Sequence, residues 1–478
     1  MLTFRWIGRR MAASVLVPLA LAGAQSRPTL APAVRQYVTT DSPLIALTHV
    51  RVIDGTGAAA RADQTLVIRN GRITSSGDAS NVRIPDGAVV LDLTGKSVIP
   101  GLVMVHEHLY YPTGPGVYGN LTESFSRLYL AGGVTSMRTG GNMNGYGELA
   151  LKGSIDRGEK PGPWIDATAP YLEGVGLGLG QVHVLSDAAD ARRMVAFWND
   201  AGATSLKAYM HITREELAAA LDEGHKRGMK LTGHLCSVTY REAAVLGIDN
   251  LEHGFFASTD FVPDKTRDVC PSGAATQASL LALDVGGRAA TSLIDELVRR
   301  HVAVTSTQTV FETFTPGRPM PPGLDVLEPQ LRAQFEQRYA AIATSTNSAY
   351  TALFPKMQRM EVAFLRAGGL LIAGTDPTGG GGVIAGYSDQ REVELLVESG
   401  LSPLEAITVC TLNGARYLGR ADRVGSIAEG KQADLVVIDG DPSTRIQDIR
   451  KVMTVFKDGV GFDPAKLIAS VKGKAGLF

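Results

Sequence analysis

Four of the nine histidines in this chain close short apolar runs, and so do one lysine and one aspartate. His106 and His108 stand two apart at the end of residues 97–105. Alternate side chains of a strand share a face, so both imidazoles are expected to enter the same space. Lys207 closes residues 203–207, His234 closes 229–234, His253 follows Leu251-Glu252, and Asp376 ends Ala373-Gly374-Thr375. Imidazole and carboxylate converging from several strand ends form a ligand set for a divalent metal. Taken singly, each residue has an ordinary reading. A lone histidine is usually hydrogen-bonded or solvated, and an aspartate after glycine usually caps a turn. The combination carries the metal reading. Of the other histidines, His225 and His301 read as solvated helix ends, and His49 belongs to a β-rich region near the start.

The elements that must position these residues follow from the pattern around them. Residues 101–424 alternate short apolar runs with helical spacing, the signature of parallel strands joined by crossover helices. Eight runs end near His108, Arg138, Tyr171, Tyr209, His234, His253, Thr307 and Asp376. The fold class read from this is α/β, a (β/α)8 TIM-like barrel with its active site at the C-terminal ends of the strands. One helix is legible in detail. Thr213 and Glu216 form a capping box, Leu217, Ala220, Leu221 and Gly224 follow at helical spacing, and Gly228 stops it. The stretches 257–287 and 313–350 exceed what a tight βα unit needs and are expected to shape the pocket or an oligomer contact. Both ends are β-rich, with Asp54-Gly55, Asn70-Gly71, Asp86-Gly87 and Asp458-Gly459 as turn signals. Residues 43–100 and 425–472 are therefore expected to join in a composite β-sandwich domain.

The chain has 478 residues, 44% of them hydrophobic, and a formal net charge of −1. That balance argues against nucleic acid or an anionic membrane surface and leaves a small molecule as the partner. Residues 1–24 read as a secretory signal. Arg5, Arg9 and Arg10 precede an apolar run at 11–21, and Ala22-Gly23-Ala24 gives a small-residue cleavage site. The apolar run is too short for a permanent membrane span, so the mature protein is expected to be periplasmic or secreted without a membrane anchor. Arg9-Arg10 leaves Sec and twin-arginine export both open. Cys236, Cys270 and Cys410 form no C-x-x-C pattern, and one disulfide is compatible with an oxidising compartment.

Several motifs together resemble the amidohydrolase superfamily, in its prolidase-like, imidazolonepropionase-related and ochratoxin-cleaving branch. They are Ile99-Pro100-Gly101-Leu102 before His106-x-His108, Leu206-Lys207, Gly233-His234, Leu251-Glu252-His253-Gly254 and Gly374-Thr375-Asp376. Thr411-x-Asn413-x-Ala415 and the run from Gly425 through Ile427, Gly430-Lys431 and Ala433-Asp434-Leu435 belong to the same pattern. The resemblance covers nearly everything after the signal. It implies two divalent metal ions, with His106, His108 and Asp376 on the more buried one and His234 and His253 on the other. Lys207 would be carboxylated and bridge them. A free ammonium has no acceptor and cannot hold a cation, whereas a carbamate can. Zinc is the first expectation for such ligands, with manganese or cobalt as alternatives. The family's aspartate two residues before the first histidine is replaced here by Met104, and Glu107 is expected to point away from the cavity.

The activity implied is hydrolysis of an amide or peptide bond, in a dipeptide or N-acyl amino acid, by a metal-bridging hydroxide. Asp376 would act as general base and then acid. Tyr209, two after Lys207, and His183, after the glycine-rich stretch 174–180, are the candidate substrate contacts. Thr378 and the glycines 379–382 are a further candidate, through their backbone N–H groups. The resemblance also implies a homo-oligomer. The alternatives are a mononuclear deaminase or imidazolone-type cyclic-amide hydrolase, which needs no bridging lysine, and a non-catalytic scaffold.

Overall fold

Eight short parallel strands follow one another through the middle of the chain. They are β1 (Leu102–Glu107), β2 (Val134–Thr139), β3 (Trp164–Asp166), β4 (Ser205–Ala208), β5 (Lys230–Gly233), β6 (Asn250–Leu251), β7 (Ala303–Ser306) and β8 (Leu371–Ala373). The computed structural model describes residues 27–478 apart from Pro115 and Leu179; the expected signal at 1–24 lies outside the described residues. Strands β1–β2–β3 make one arc and β4 to β8, in order, make a second. Isolated bridges Thr168↔Ser205 and Leu172↔Ala208 link β3 to β4. On the other side the Thr375 and Asp376 amides both donate to the His106 carbonyl at 3.1 Å. The result is a TIM-barrel-like α/β arrangement in which no continuous ladder closes the ring.

Local chemistry explains most strand ends. The third was expected near Tyr171, but its ladder stops at Asp166 and the chain continues through single bridges. Pro170 lies there and has no N–H to give a ladder. Gly374 is required for β8 to reach β1, because a Cβ at that position would fall 2.4 Å from the Cβ of His106. The helix Arg214–Lys226 begins at the Thr213–Glu216 capping box, as its sequence predicts. Within the stretch 257–287, Cys270 forms a disulfide with Cys236, two residues after His234. No helix among the described residues is long and apolar enough to cross a membrane.

Strands from both ends of the chain share one nine-stranded sheet. Leu435–Ile438 pairs antiparallel with Ser97–Pro100, which runs parallel to Leu44–Val52. Asn70 and Gly71, both with positive φ, make the tight turn between Arg61–Arg69 and Arg72–Asp78. Ile45, Leu47, Leu66, Ile68, Val98, Leu435 and Val437 form a buried apolar cluster on this sheet.

Behind the strand ends sits a group of buried acids. Ser306 Oγ is hydrogen-bonded to Glu361 at 2.8 Å and to Glu392 at 2.7 Å. Burial pushes the Glu361 carboxyl up to about 8 from its ordinary 4.5, despite a bond from Gln308 that favours the charged form. Such a group keeps a proton on folding that the unfolded chain has lost. Its contribution is complete below pH 4.5 and disappears as pH rises through about 8. Glu361→Gln is therefore expected to flatten the fall in thermal midpoint across that window. An unchanged pH slope in calorimetry would refute the assignment.

Candidate metal centre

His106, His108, Lys207, His234, His253 and Asp376 line one small cavity at the C-terminal ends of the strands. All but one are buried outright: His106, His108, Lys207, His253 and Asp376 each lose at least nine-tenths of their surface. Ligand atoms of His106, His108 and Asp376 lie within 4.8 Å of one another. His108 Nε2 is 3.2 Å and His106 Nε2 3.8 Å from Asp376 Oδ1. On the far side, the rings of His234 and His253 are 4.3 Å apart, and His253 lies 4.7 Å from His106. His253 and Asp376 both hold left-handed backbone, with φ of 68° and 55°. For a histidine that conformation is costly and is kept where the surroundings demand it.

Outer hydrogen bonds decide which nitrogen faces the cavity. His106 Nδ1 bonds Glu252 Oε2 at 2.7 Å, His108 Nδ1 bonds the Gly141 carbonyl at 3.0 Å, and His253 Nδ1 bonds Thr307 Oγ1 at 2.9 Å. Acceptors at Nδ1 fix the N–H there for His106 and His108 and leave the Nε2 lone pair for a cation. Burial lowers His108 to about 4 and His234 to about 3, so these imidazoles are neutral near pH 7. Asp376 is also desolvated, but the histidines around it, His108, His106 and His253, hold its carboxyl well below the usual carboxylate range. Neutral imidazoles beside an ionised carboxylate are the protonation states that metal binding requires.

Lys207 is the unusual member. Its Nζ is buried with no hydrogen-bond partner, and the nearest carboxylate oxygen, Glu252 Oε1, is 3.6 Å away. That carboxylate is occupied by His106, Arg138 and Thr232. Desolvation lowers the lysine to about 8, against the opposing pull of Glu252. An orphaned amine with a depressed pKa, placed among four imidazoles, fits a group that works as the neutral nucleophile rather than as a cation.

The other expected residues divide. Tyr209 lines the cavity, and its ring lies 5.0 Å from His234. His183 does not line it. The ring bonds Asp190 Oδ2 at 2.9 Å, and the side chain is 51% exposed, because Asp190 in the first turn of helix Ala188–Asp200 claims it. Thr378 lines the cavity and donates to Asp376 at 2.7 Å. The amides of Gly381 and Gly382 are spent on Thr378 O and Tyr111 Oη, which leaves fewer free donors than the glycine run suggests. Glu107 is buried outside the cavity and receives a bond from Thr375; burial pushes its carboxyl well above the usual carboxylate range. Tyr110, Tyr118, Tyr171 and Met143 complete the lining, and no spacing signal marked them as site residues. Glu252, visible only as part of a motif, proves to orient His106 from 146 residues away.

A sequence profile described as the amidohydrolase family matches residues 353–462. An imidazolonepropionase of Porphyromonas gingivalis is 24% identical over 414 residues, 82% of this chain and 85% of its own. Among solved structures, a candidate prolidase from Bifidobacterium longum aligns with a TM-score of 0.67 at 24% identity, covering 90% of this chain and 98% of that one. The ochratoxinase of A. niger aligns at 0.63 and 18%, covering 89% and 96%. The structural likenesses establish a shared fold. The profile match over residues 353–462, with the histidine, lysine and aspartate set converging at the strand ends, makes the chain similar to the amidohydrolase superfamily.

Proposed function

We propose that the protein hydrolyses an amide bond at a pair of divalent metal ions joined by a carboxylated Lys207, with zinc as the favoured metal. The observation that carries this is the buried, unpartnered Lys207 amine in the same cavity as His106, His108, His234, His253 and Asp376. The neutral amine attacks carbon dioxide, an N–C bond forms, and one proton leaves, which gives a carbamate with two acceptor oxygens. His106, His108 and Asp376 would hold one ion, and His234 and His253 the other. Such ions lower the pKa of water toward neutrality and polarise a carbonyl. Asp376, hydrogen-bonded by Thr378, takes the proton from the attacking water and passes it to the leaving nitrogen.

The substrate is read as a dipeptide or N-acyl amino acid, a class to which the solved Xaa-Pro dipeptidase of similar fold also points. Arg338, exposed and outside the residues that line the cavity, is the cation we assign to meet the carboxylate of a substrate. No carboxylate pairs with it among the described residues, and its guanidinium packs on Phe314 and against Gly380, in the turn that follows Asp376. Arg338→Met is expected to raise KM about tenfold for substrates with a free carboxylate, the worth of one charge-assisted bond, and to leave their amidated analogues unchanged. Equal losses on both would remove Arg338 from substrate binding. The disulfide supports an exported enzyme, since such bonds persist in oxidising compartments.

A second reading is favoured by one observation. The tightest ligand group is three residues, His106, His108 and Asp376, and Lys207 faces Glu252. A mononuclear deaminase or cyclic-amide hydrolase would need no more. Metal-reconstituted protein screened against dipeptides, N-acyl amino acids, adenine and imidazolone rings separates the two. Amide turnover supports the first reading, and deamination or ring opening alone supports the second.

A further inference from the structure

A second cleft lies at the other end of the barrel, where Trp164 opens β3, and arginines line it. Arg420 and Arg423 flank one tight turn, in which the Arg423 amide donates to the Arg420 carbonyl at 2.8 Å. Arg72, the first residue of the strand Arg72–Asp78, reaches the same cleft from the small sheet. The Arg420 guanidinium sits 3.7 Å from the centre of the Trp164 ring. A guanidinium held on an aromatic face keeps N–H groups to offer to an anion. Its Nε is buried with no hydrogen-bond partner. Burial lowers the Arg420 pKa, the pull of Asp434 does not cancel this, and Arg423 adds repulsion. The other cations of the cleft are spent. Lys152 bonds Asp156 at 2.6 Å, Lys457 is 3.5 Å from Asp458, and Arg27 is 3.6 Å from Asp41. Asp434 is the remaining acid of the lining, and burial beside Asp458 pushes its carboxyl up to about 7. Arg72 bonds the Gly430 carbonyl at 2.9 Å, and no carboxylate pairs with any of the three arginines among the described residues.

We propose that this cleft binds a phosphate-bearing small molecule, whose phosphoryl oxygens are shared among Arg72, Arg420 and Arg423. Two guanidiniums that repel each other call for an anion of more than one charge between them. A phosphate group carries up to two charges and at least three oxygens, so it can accept from both arginines at once. A carboxylate has one charge and two oxygens and leaves part of the set unsatisfied. The anion would also meet the orphaned Arg420 Nε. The site is separate from the amide chemistry, since none of its residues lines the strand-end cavity. Its ligand would bridge two parts of the fold, the small sheet through Arg72 and the turn after the barrel through Arg420 and Arg423. An anion that binds only this folded arrangement stabilises it.

The test titrates full-length zinc-reconstituted protein with inorganic pyrophosphate in a calorimeter, with zinc content and thermal midpoint measured on the same samples. The wild type is expected to bind one pyrophosphate per chain with a Kd below about 1 mM. Arg420→Met and Arg423→Met should each weaken it at least about tenfold, the loss of one charge-assisted contact, with zinc content unchanged. Arg72→Met, at an exposed position that the fold does not depend on, should weaken it about threefold. Pyrophosphate should raise the thermal midpoint of the wild type and leave that of Arg420→Met where it was. Equal binding by the wild type and all three variants would put the anion on the metal ions and overturn the proposal. Failure of the wild type to bind pyrophosphate overturns it as well, and so does citrate bound as tightly, which would make this a carboxylate site.

Discussion

Asp376→Asn is expected to lower kcat about 10³-fold, the middle of the range for loss of a general base and acid, without unfolding the protein. Asparagine has the same shape and tolerates the left-handed backbone, φ 55°, that Asp376 adopts. Its amide oxygen can still receive the Thr378 hydroxyl bond present at Asp376 Oδ1. What it cannot do is accept a proton, and as a neutral ligand it weakens the group formed with His106 and His108. The thermal midpoint of the metal-free protein should therefore stay close to wild type, while turnover collapses. Steady-state kinetics with zinc content measured on the same samples checks both parts. Full activity with the asparagine would end the assignment of Asp376 as the proton shuttle.

Lys207→Ala is expected to cost as much by a different route. The side chain is fully buried, and the one carboxylate within 4 Å among the described residues, Glu252, is already committed to His106, Arg138 and Thr232. Activity should fall at least about 10³-fold, matching the loss of an essential catalytic group. The shortened side chain leaves room where a free carboxylate can sit, so formate or acetate at high concentration should restore part of the activity. Loss of the buried side chain also leaves a void beside Glu252, a general cost in a packed interior. A lower thermal midpoint alone is thus not diagnostic, and rescue by a short acid is. Activity surviving Lys207→Ala without any added acid would favour the mononuclear reading.

The convergence of these six side chains on one cavity is legible because their positions obey the simplest rules. A two-residue period put His106 and His108 on one face, and β/α alternation put Lys207, His234, His253 and Asp376 at strand ends. Tyr110 and Tyr171 escaped because a tyrosine near the end of an apolar run reads as wall or core until its hydroxyl has a partner, and that partner is 61 residues away. Glu252 escaped for the same reason, since its value lies in a contact with His106 across the barrel. His183 was misplaced because spacing cannot reveal a competitor, and Asp190 supplies one seven residues on. The ladder of the third strand stops at Asp166 and the chain continues toward Tyr171 through single bridges, a break that an apolar run does not reveal.

The most direct test is the number of zinc ions per chain after reconstitution in bicarbonate buffer, measured beside turnover. The account predicts two ions for the wild type, fewer for Lys207→Ala, and a wild-type loss of the second ion when carbon dioxide is excluded throughout. One ion per chain with undiminished turnover, indifferent to bicarbonate, would contradict it.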